Sequence, residues 1–278
     1  MQSLPRMRSV GLIGAGKMAK AIANGILSTN RAAELSRDKS IKVMASCPRE
    51  ELLRALPDDC RSTTNNLETV ENSDLIIIAV KPDVVRSVLD EICPKIDPKK
   101  HVVMSIAAGV TVSTFEEALP AGTNIVRVMP NIACEVREGA TVYYTRGESN
   151  ELGQITQAVF APISPICQRI LDEKLMDAAT ALSGSGTAYV LYIIEALVDA
   201  GVRQGFSREV ALRLATQTVQ GAARLIHDSG RSPTELKDYV TSPGGTTSEG
   251  LFVLEKYAVK SAIHDAVHSA RKKSDVLR

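Results

Sequence analysis

The stretch Ser9-Val10-Gly11-Leu12-Ile13-Gly14-Ala15-Gly16-Lys17-Met18-Ala19 decides the fold. Its apolar run, residues 10–13, suits a buried strand and breaks directly into Gly14-x-Gly16-x-x-Ala19, after which Ala19, Ile22, Ala23 and Ile26 mark one face of a helix. Strand, glycine turn and helix in that order make the dinucleotide fingerprint in its Gly-x-Gly-x-x-Ala form. Gly14 permits the tight turn, Gly16 lets backbone N–H groups approach a pyrophosphate, and Ala19 lets the helix pack closely on the strand. The helix start presents free N–H groups and a positive dipole end to the phosphates.

Working outward, a polar stretch at residues 30–40 leads to a second strand at 41–45. NAD-specific sites place an acid near the end of this strand to bind the ribose. Here the strand runs out into Ser46-Cys47-Pro48-Arg49, with no acid before Glu50. A hydroxyl and an arginine suit a 2′-phosphate, so NADP(H) is the expected cofactor and NAD(H) the alternative. The competing reading is that Arg49 only starts a surface helix.

Residues 74–80 form a continuous apolar strand (Leu75, Ile76, Ile77, Ile78, Ala79, Val80), as expected of a strand buried on both faces of a parallel sheet. It ends in Lys81-Pro82 and a helix through Val84, Val88, Leu89 and Ile92. The strand at 102–105 ends in Ile106-Ala107-Ala108-Gly109, where small residues leave room for a ligand at the carboxyl edge of the sheet. Ser113-x-x-Glu116 reads as a capping box opening the next helix. Strands at 124–129 and 140–144 frame Pro130-Asn131, and a last α/β pair occupies 151–171.

Beyond Glu173 the pattern is helical. Residues 178–186 are small and read as flexible; 188–198 read as a helix buried on all sides and too short to span a membrane. Ser207 caps a long helix with Ala211, Leu214, Ala215, Thr218, Ala222 and Leu225 on one face, and Ser232-Pro233-x-Glu235 opens another. So much apolar helical surface calls for a partner chain. The expected class is therefore α/β, a Rossmann-type dinucleotide-binding domain over 1–172 followed by an all-α dimerisation and substrate-binding domain over 173–278.

Bulk properties narrow the function classes. With 278 residues, 44% hydrophobic, 23% charged and a net charge of +1, the chain is globular and carries no signature of nucleic-acid or membrane-surface binding. Five cysteines (Cys47, Cys60, Cys93, Cys134, Cys167) without a C-x-x-C favour a reducing compartment, so a cytoplasmic location, and neither disulfides nor zinc. The start of the chain has Arg6 and Arg8 but no apolar core, unlike a secretory signal. His264 and His268, four apart, lack a general-base Glu and a third ligand, and read as a solvated helix face, as does Arg271-Lys272-Lys273; no metal is expected.

Ser242-Pro243-Gly244-Gly245-Thr246-Thr247 precedes a helix reaching about Lys256. Consecutive N–H groups at such a start form a nest for a carboxylate or phosphate, with an ordinary cap as the other reading. Taken with the fingerprint, Ala79-Val80-Lys81-Pro82, Ser105-Ile106-Ala107-Ala108-Gly109-Val110, Val128-Met129-Pro130-Asn131 and Leu182-Ser183-Gly184-Ser185-Gly186, it closely resembles pyrroline-5-carboxylate reductases over nearly the whole chain.

The resemblance implies reduction of Δ1-pyrroline-5-carboxylate to L-proline with NAD(P)H, the last step of proline synthesis, by dimers that often assemble into decamers. It implies cofactor contacts at Gly14, Ala15, Gly16, Lys17, Met18, Asn66, Ala79, Val80, Lys81, Pro82, Ala107 and Ala108, beside the Ser46, Cys47 and Arg49 turn. It places substrate at Glu173, Ser242, Gly245, Thr246 and Thr247, with the Thr247 hydroxyl catalytic at the ring nitrogen. From the residue alone, an acid such as Glu173 suits a helix cap. The family's proline before Ala188-Tyr189 is Thr187 here, which alters how the long helix starts, and Cys47 stands where some members have serine.

The chemistry needs no metal or covalent nucleophile, because a protonated cyclic imine is already a strong hydride acceptor. Two alternatives are a β-hydroxyacid-type dehydrogenase and a non-catalytic NADP(H)-binding redox sensor. The first needs a catalytic lysine on a helix of the second domain, and none occurs between Lys174 and Lys237. The Ser242 to Thr247 segment argues against the second.

Overall fold

The structure, a computed structural model, describes residues 7–28 and 41–276. The polar stretch at 30–40, Arg6 and the last two residues lie outside the described residues. The chain divides into two compact units, Met1–Ser185 with Ala270–Arg278, and Gly186–Ser269. The expected division at 172/173 precedes this one because residues 175–184 stay with the sheet unit through the buried Met176, Asp177 and Ala181.

In the first unit β1 (Ser9–Ile13), α1 (Lys17–Leu27), β2 (Lys42–Ser46), α2 (Glu50–Leu53), β3 (Cys60–Thr63), α3 (Asn66–Glu71), β4 (Leu75–Ile78), α4 (Pro82–Ile92), β5 (Val102–Ser105), α5 (Val112–Ala118), β6 (Asn124–Met129), β7 (Ala140–Thr145), α6 (Asn150–Phe160), β8 (Ile166–Arg169) and α7 (Leu175–Ala179) follow in order. The sheet runs β3-β2-β1-β4-β5-β6-β7-β8. The chain leaves β1 toward β3, then returns to β4 on the other side of β1, which makes the β1/β4 boundary the topological switch point. All pairs are parallel except β6 with β7. Sequence analysis did not identify β3 or α3, because the exposed Arg61 and Ser62 hide the edge strand's pattern.

Strand alternation sorts side chains into two cores. Leu12, Ala45, Leu75, Ile77 and Met104 face α1 and α6, while Ile13, Ile76, Ile78 and Val103 face α3, α4 and α5. Each residue of β4 is buried, as a central parallel strand requires. Within α4 it is Val85, with Val88, Leu89 and Ile92, that meets the core, whereas Val84 is exposed. The expected Ser113-x-x-Glu116 box is not formed. Thr111 caps α5 by accepting from the Thr114 N–H, and Ser113 and Glu116 are bound by Arg146 instead.

The second unit contains α8 (Gly186–Arg203), α9 (Arg208–Ser229), α10 (Pro233–Tyr239), α11 (Thr246–Lys256) and most of α12 (Val259–Val276). Ser207 caps α9 through the Val210 N–H, and Ser232 and Glu235 form the reciprocal capping box of α10. Two expectations fail here. Residues 180–184 are a π-helical turn, not a flexible link, so helix continues from Leu175 to Arg203, long and apolar enough by length and composition to cross a membrane. Nor is 188–198 buried on all sides: only Val198 of α8 is, against Ala211 and Ala215 of α9. Leu191 and Tyr192, and Phe252 on α11, are exposed in the single chain.

Candidate active site

Because β1, β2, β3, β4 and β5 are parallel and in register, the segments leaving their carboxyl ends share one edge of the sheet. These segments contain every expected cofactor residue. The turn after β1 is pinned on both sides, by Gly14 N–H to the Ser46 carbonyl (2.8 Å) and Ala79 N–H to the Ile13 carbonyl (2.8 Å). Gly14 is required twice over. Its φ is +108°, and a Cβ there would sit 2.5 Å from the Ala79 carbonyl oxygen. Gly16 differs, since a Cβ added to it would meet no atom within 4 Å.

Gly16 is the N-cap of α1, with no side-chain cap and no acid in the first turn. The first N–H groups of an eleven-residue helix are therefore left for an anion, with Lys17 exposed beside them and Ala15 and Met18 packed inward. These residues fit a dinucleotide pyrophosphate. A cradle that glycine leaves open is what such a group needs.

Ser46 is fully buried and its Oγ–H donates to Asn66 Oδ1 (2.7 Å), while Asn66 Nδ2 donates to Glu91 Oε2 (2.8 Å). Asn66 thus starts α3 in a fixed orientation at this edge. Arg49 is exposed at the start of α2 and forms no ion pair with an acid among the described residues. The Cys47 side chain points into the core and its N–H donates to the Thr63 carbonyl, so this residue presents no thiol at the edge. Lys81 is exposed as N-cap of α4, with Pro82 as its first residue and Ala79 and Val80 half-buried before it. After β5, the Ala107 N–H donates to Ser105 Oγ (3.3 Å), and Gly109 turns the chain with φ +78°.

Glu173 is held within the same unit. Its Oε1 accepts from the Val112 N–H at the start of α5 (2.8 Å) and from Arg127 Nη1 (3.1 Å). The cap expected of this acid is real, but the helix it caps is distant in sequence. Arg127 also reaches Asp177 Oδ1 through Nη2 (3.5 Å), and the Ser274 Oγ–H donates to that oxygen (3.0 Å). Arg127, Asp177 and Ser274 escaped the sequence reading. A lone arginine inside an apolar strand was the available signal. Beside Glu173 lies a cavity of about 330 Å³ lined by Thr111, Tyr144, Leu171, Asp172, Glu173 and Lys174.

In the second unit Gly245 N–H donates to the Ser242 carbonyl (3.0 Å), and Gly244 occupies the left-handed region at φ +65°. Gly245 is the N-cap of α11 with no side-chain cap, and the exposed Ser242, Thr246 and Thr247 surround it with hydroxyls. The Ser248 Oγ–H turns back to the Gly245 carbonyl (2.7 Å). What remains is a helix start with free N–H groups, suited to a carboxylate. His264 and His268 are exposed, and among the described residues no group of three or more His, Cys, Asp or Glu is placed to hold a metal ion.

Comparison with known proteins places the chain. Residues 173–277 match the family model described as pyrroline-5-carboxylate reductase dimerisation, and residues 9–109 match that of NADP oxidoreductase, coenzyme F420-dependent. The chain is 41% identical to a pyrroline-5-carboxylate reductase of Methanosarcina acetivorans, covering 97% of this chain and 98% of the relative. It is 39% identical to one of Arabidopsis thaliana, over 95% and 94%. A crystal structure of the Plasmodium falciparum pyrroline carboxylate reductase with NADP bound superposes with a TM-score of 0.83 at 32% identity, covering 99% of each chain.

Proposed function

The chain belongs to the pyrroline-5-carboxylate reductase family, and from that premise we propose that it reduces 1-pyrroline-5-carboxylate to L-proline with NAD(P)H, the last step of proline biosynthesis. The observation that carries the reading is the pair of uncapped, glycine-opened helix starts: α1 at the carboxyl edge of a Rossmann sheet for the pyrophosphate, and α11 with its hydroxyls for the substrate carboxylate. NADP(H) is the cofactor, bound by the segments at 14–18, 46–49, 79–82 and 107–108 and by Asn66. Arg49 gives the 2′-phosphate a partner and favours NADPH over NADH. Cys47 contributes backbone only.

When bound, the dihydronicotinamide supplies the hydride that adds to C5 of the protonated imine, the C=N electron pair passing to nitrogen to give the secondary amine. The N–H groups of Gly245, Thr246 and Thr247, with Ser242, hold the carboxylate. The Thr247 hydroxyl meets the ring nitrogen and orients it. Glu173 contributes a carboxylate that favours the protonated ring.

The same reading includes a homodimer formed through 173–277, since the exposed apolar residues of α8 and α11 need cover. Decamers of such dimers are the larger assembly, in a reducing cytoplasm free of membrane. The sensor alternative has little to recommend it. Burial pushes the Cys60 thiol up to about 11 and Cys167 to about 12, so neither is a ready thiolate. Steady-state oxidation of NADPH and NADH by pyrroline-5-carboxylate tests the function directly. Turnover yielding proline, faster with NADPH, is expected; failure with both cofactors in the folded oligomer overturns it.

A further inference from the structure

Four residues from three separate stretches of the chain converge inside the first unit. Arg127 on β6 is 3% exposed at its side chain and Asp177 on α7 is 0%, while Glu173 is 20% exposed. Ser274, in the last turn of α12, is 2% exposed although Arg271, Lys272 and Lys273 beside it are all in solvent. The planar fork of a guanidinium fixes the groups it binds. Here it binds two carboxylates, and the Ser274 hydroxyl donates to the second.

We infer that Arg127, Asp177 and Ser274 are positioning residues that orient Glu173 and set the charge it presents to the cavity at Thr111 and Lys174. The inference rests on the reading that Glu173 meets the substrate ring. Two donors, the Val112 N–H and Arg127, converge on the single oxygen Oε1, so the carboxylate is fixed before a ligand arrives. Glu173 is the member of the network that reaches the cavity.

The network sets two carboxyl groups against one guanidinium, and Glu173 is the acidic group that reaches the cavity. A carboxylate at the cavity favours a cationic neighbour, and the protonated imine is the cationic, hydride-accepting form. Of the other charged groups at the cavity, Asp172 and Lys174 are both solvent-exposed and of opposite sign, so screening and mutual cancellation leave Glu173 as the charge that acts there. The network therefore extends the pH range in which the substrate is reactive. Through Ser274 the last turn of α12, which belongs to the sheet unit, becomes part of the network.

The test measures kcat/KM for pyrroline-5-carboxylate against pH in the full-length oligomer, for the parent and for Glu173→Gln, Arg127→Lys and Ser274→Ala. NADPH affinity and thermal unfolding are followed in parallel, so that misfolding is seen. Arg127→Lys keeps the charge and loses the fork; Ser274→Ala removes one hydroxyl. Glu173→Gln should raise the substrate KM about tenfold and move the alkaline limb to lower pH. Arg127→Lys and Ser274→Ala should move both in the same direction, by about threefold to tenfold in KM, with NADPH affinity unchanged. If these two variants keep the parent profile while Glu173→Gln does not, the positioning role fails and the substrate role of Glu173 stands. If Glu173→Gln keeps the parent profile as well, the inference falls with its premise. No turnover by the parent would overturn the proposed activity itself.

Discussion

The two units bury their apolar residues in opposite ways. In the sheet unit the side chains of β4 and the faces of α1, α4 and α6 close into two cores, with Leu12, Leu75, Ile76, Ile77, Ile78, Leu89 and Phe160 shielded from solvent within one chain. In Gly186–Ser269 the buried cluster is Val198, Ala211 and Ala215, while Leu191 is 59% exposed, Tyr192 73% and Phe252 68%. A parallel sheet has two faces that its own crossover helices cover. Helices that are apolar on several faces have no such cover without a second chain. The first unit thus closes its apolar cores within one chain, whereas Gly186–Ser269 leaves most of its large apolar side chains uncovered in the single chain.

The largest expected effect tests the self-sufficiency of the first unit. Gly16→Val should abolish NADPH binding, because its side chain fills the space a pyrophosphate needs, yet leave the unfolding temperature nearly unchanged, since nothing lies within 4 Å of a Cβ there. Fluorescence titration of a folded variant that still bound NADPH normally would remove the fingerprint from the cofactor site. Leu191→Asp tests the converse in the second unit. Burying two symmetry-related leucines contributes about 3 kcal/mol to a dimer, so the charged variant should lose the dimer and, with it, a folded helical unit. A stable, active monomer by light scattering would erase the contrast.

Smaller effects sharpen it. Thr247→Ala should lower kcat/KM by roughly 10 to 100-fold, the worth of one hydrogen bond used in the transition state, and Thr247→Ser should keep most activity. Ser242→Ala should act on KM, since a carboxylate anchor binds ground and transition states alike. Full activity of Thr247→Ala would reduce the residue to part of a helix start. Arg49→Ala should weaken NADPH by about 1 to 2 kcal/mol in kcat/KM and hardly touch NADH. Equal losses with both cofactors would make Arg49 only the residue that opens α2.

The smallest effect is on stability and belongs to the sheet unit alone. His101 is 2% exposed, and its Nδ1 accepts from the Asp97 N–H (2.9 Å), which requires a lone pair there. Burial, then Lys100, holds its pKa below the ordinary histidine value, against the opposing pull of Asp97 and Asp74. The unfolded chain takes up this proton more readily, at about pH 6.5. The contribution of His101 is therefore whole above that pH and declines as pH falls toward the lower folded value. His101→Gln should flatten the dependence of the unfolding temperature on pH between about 7 and 5.5; an unchanged slope would show that other groups cause it.

Sequence by itself determined the sheet unit's central strands and its cofactor turn. The continuous apolar runs at Leu75–Ile78 and Val102–Ser105 and the glycine turn at Gly14 are local consequences of burial and backbone sterics, which each short stretch carries alone. The same holds for the Ser207 and Ser232 caps and for the glycine turn before α11. Tertiary structure decided what depends on partners far along the chain. The edge strand β3 is polar on its outer side, and only pairing with β2 makes it a strand. Thr111, not Ser113, caps α5 because Arg146 takes Ser113 and Glu116. The exposure of α8 depends on what packs against it, which periodicity cannot report. The meeting of Arg127, Glu173, Asp177 and Ser274 was equally invisible, since charges 46 and 50 positions apart, and a hydroxyl 97 positions from its carboxylate, interact only once the fold has removed the water between them.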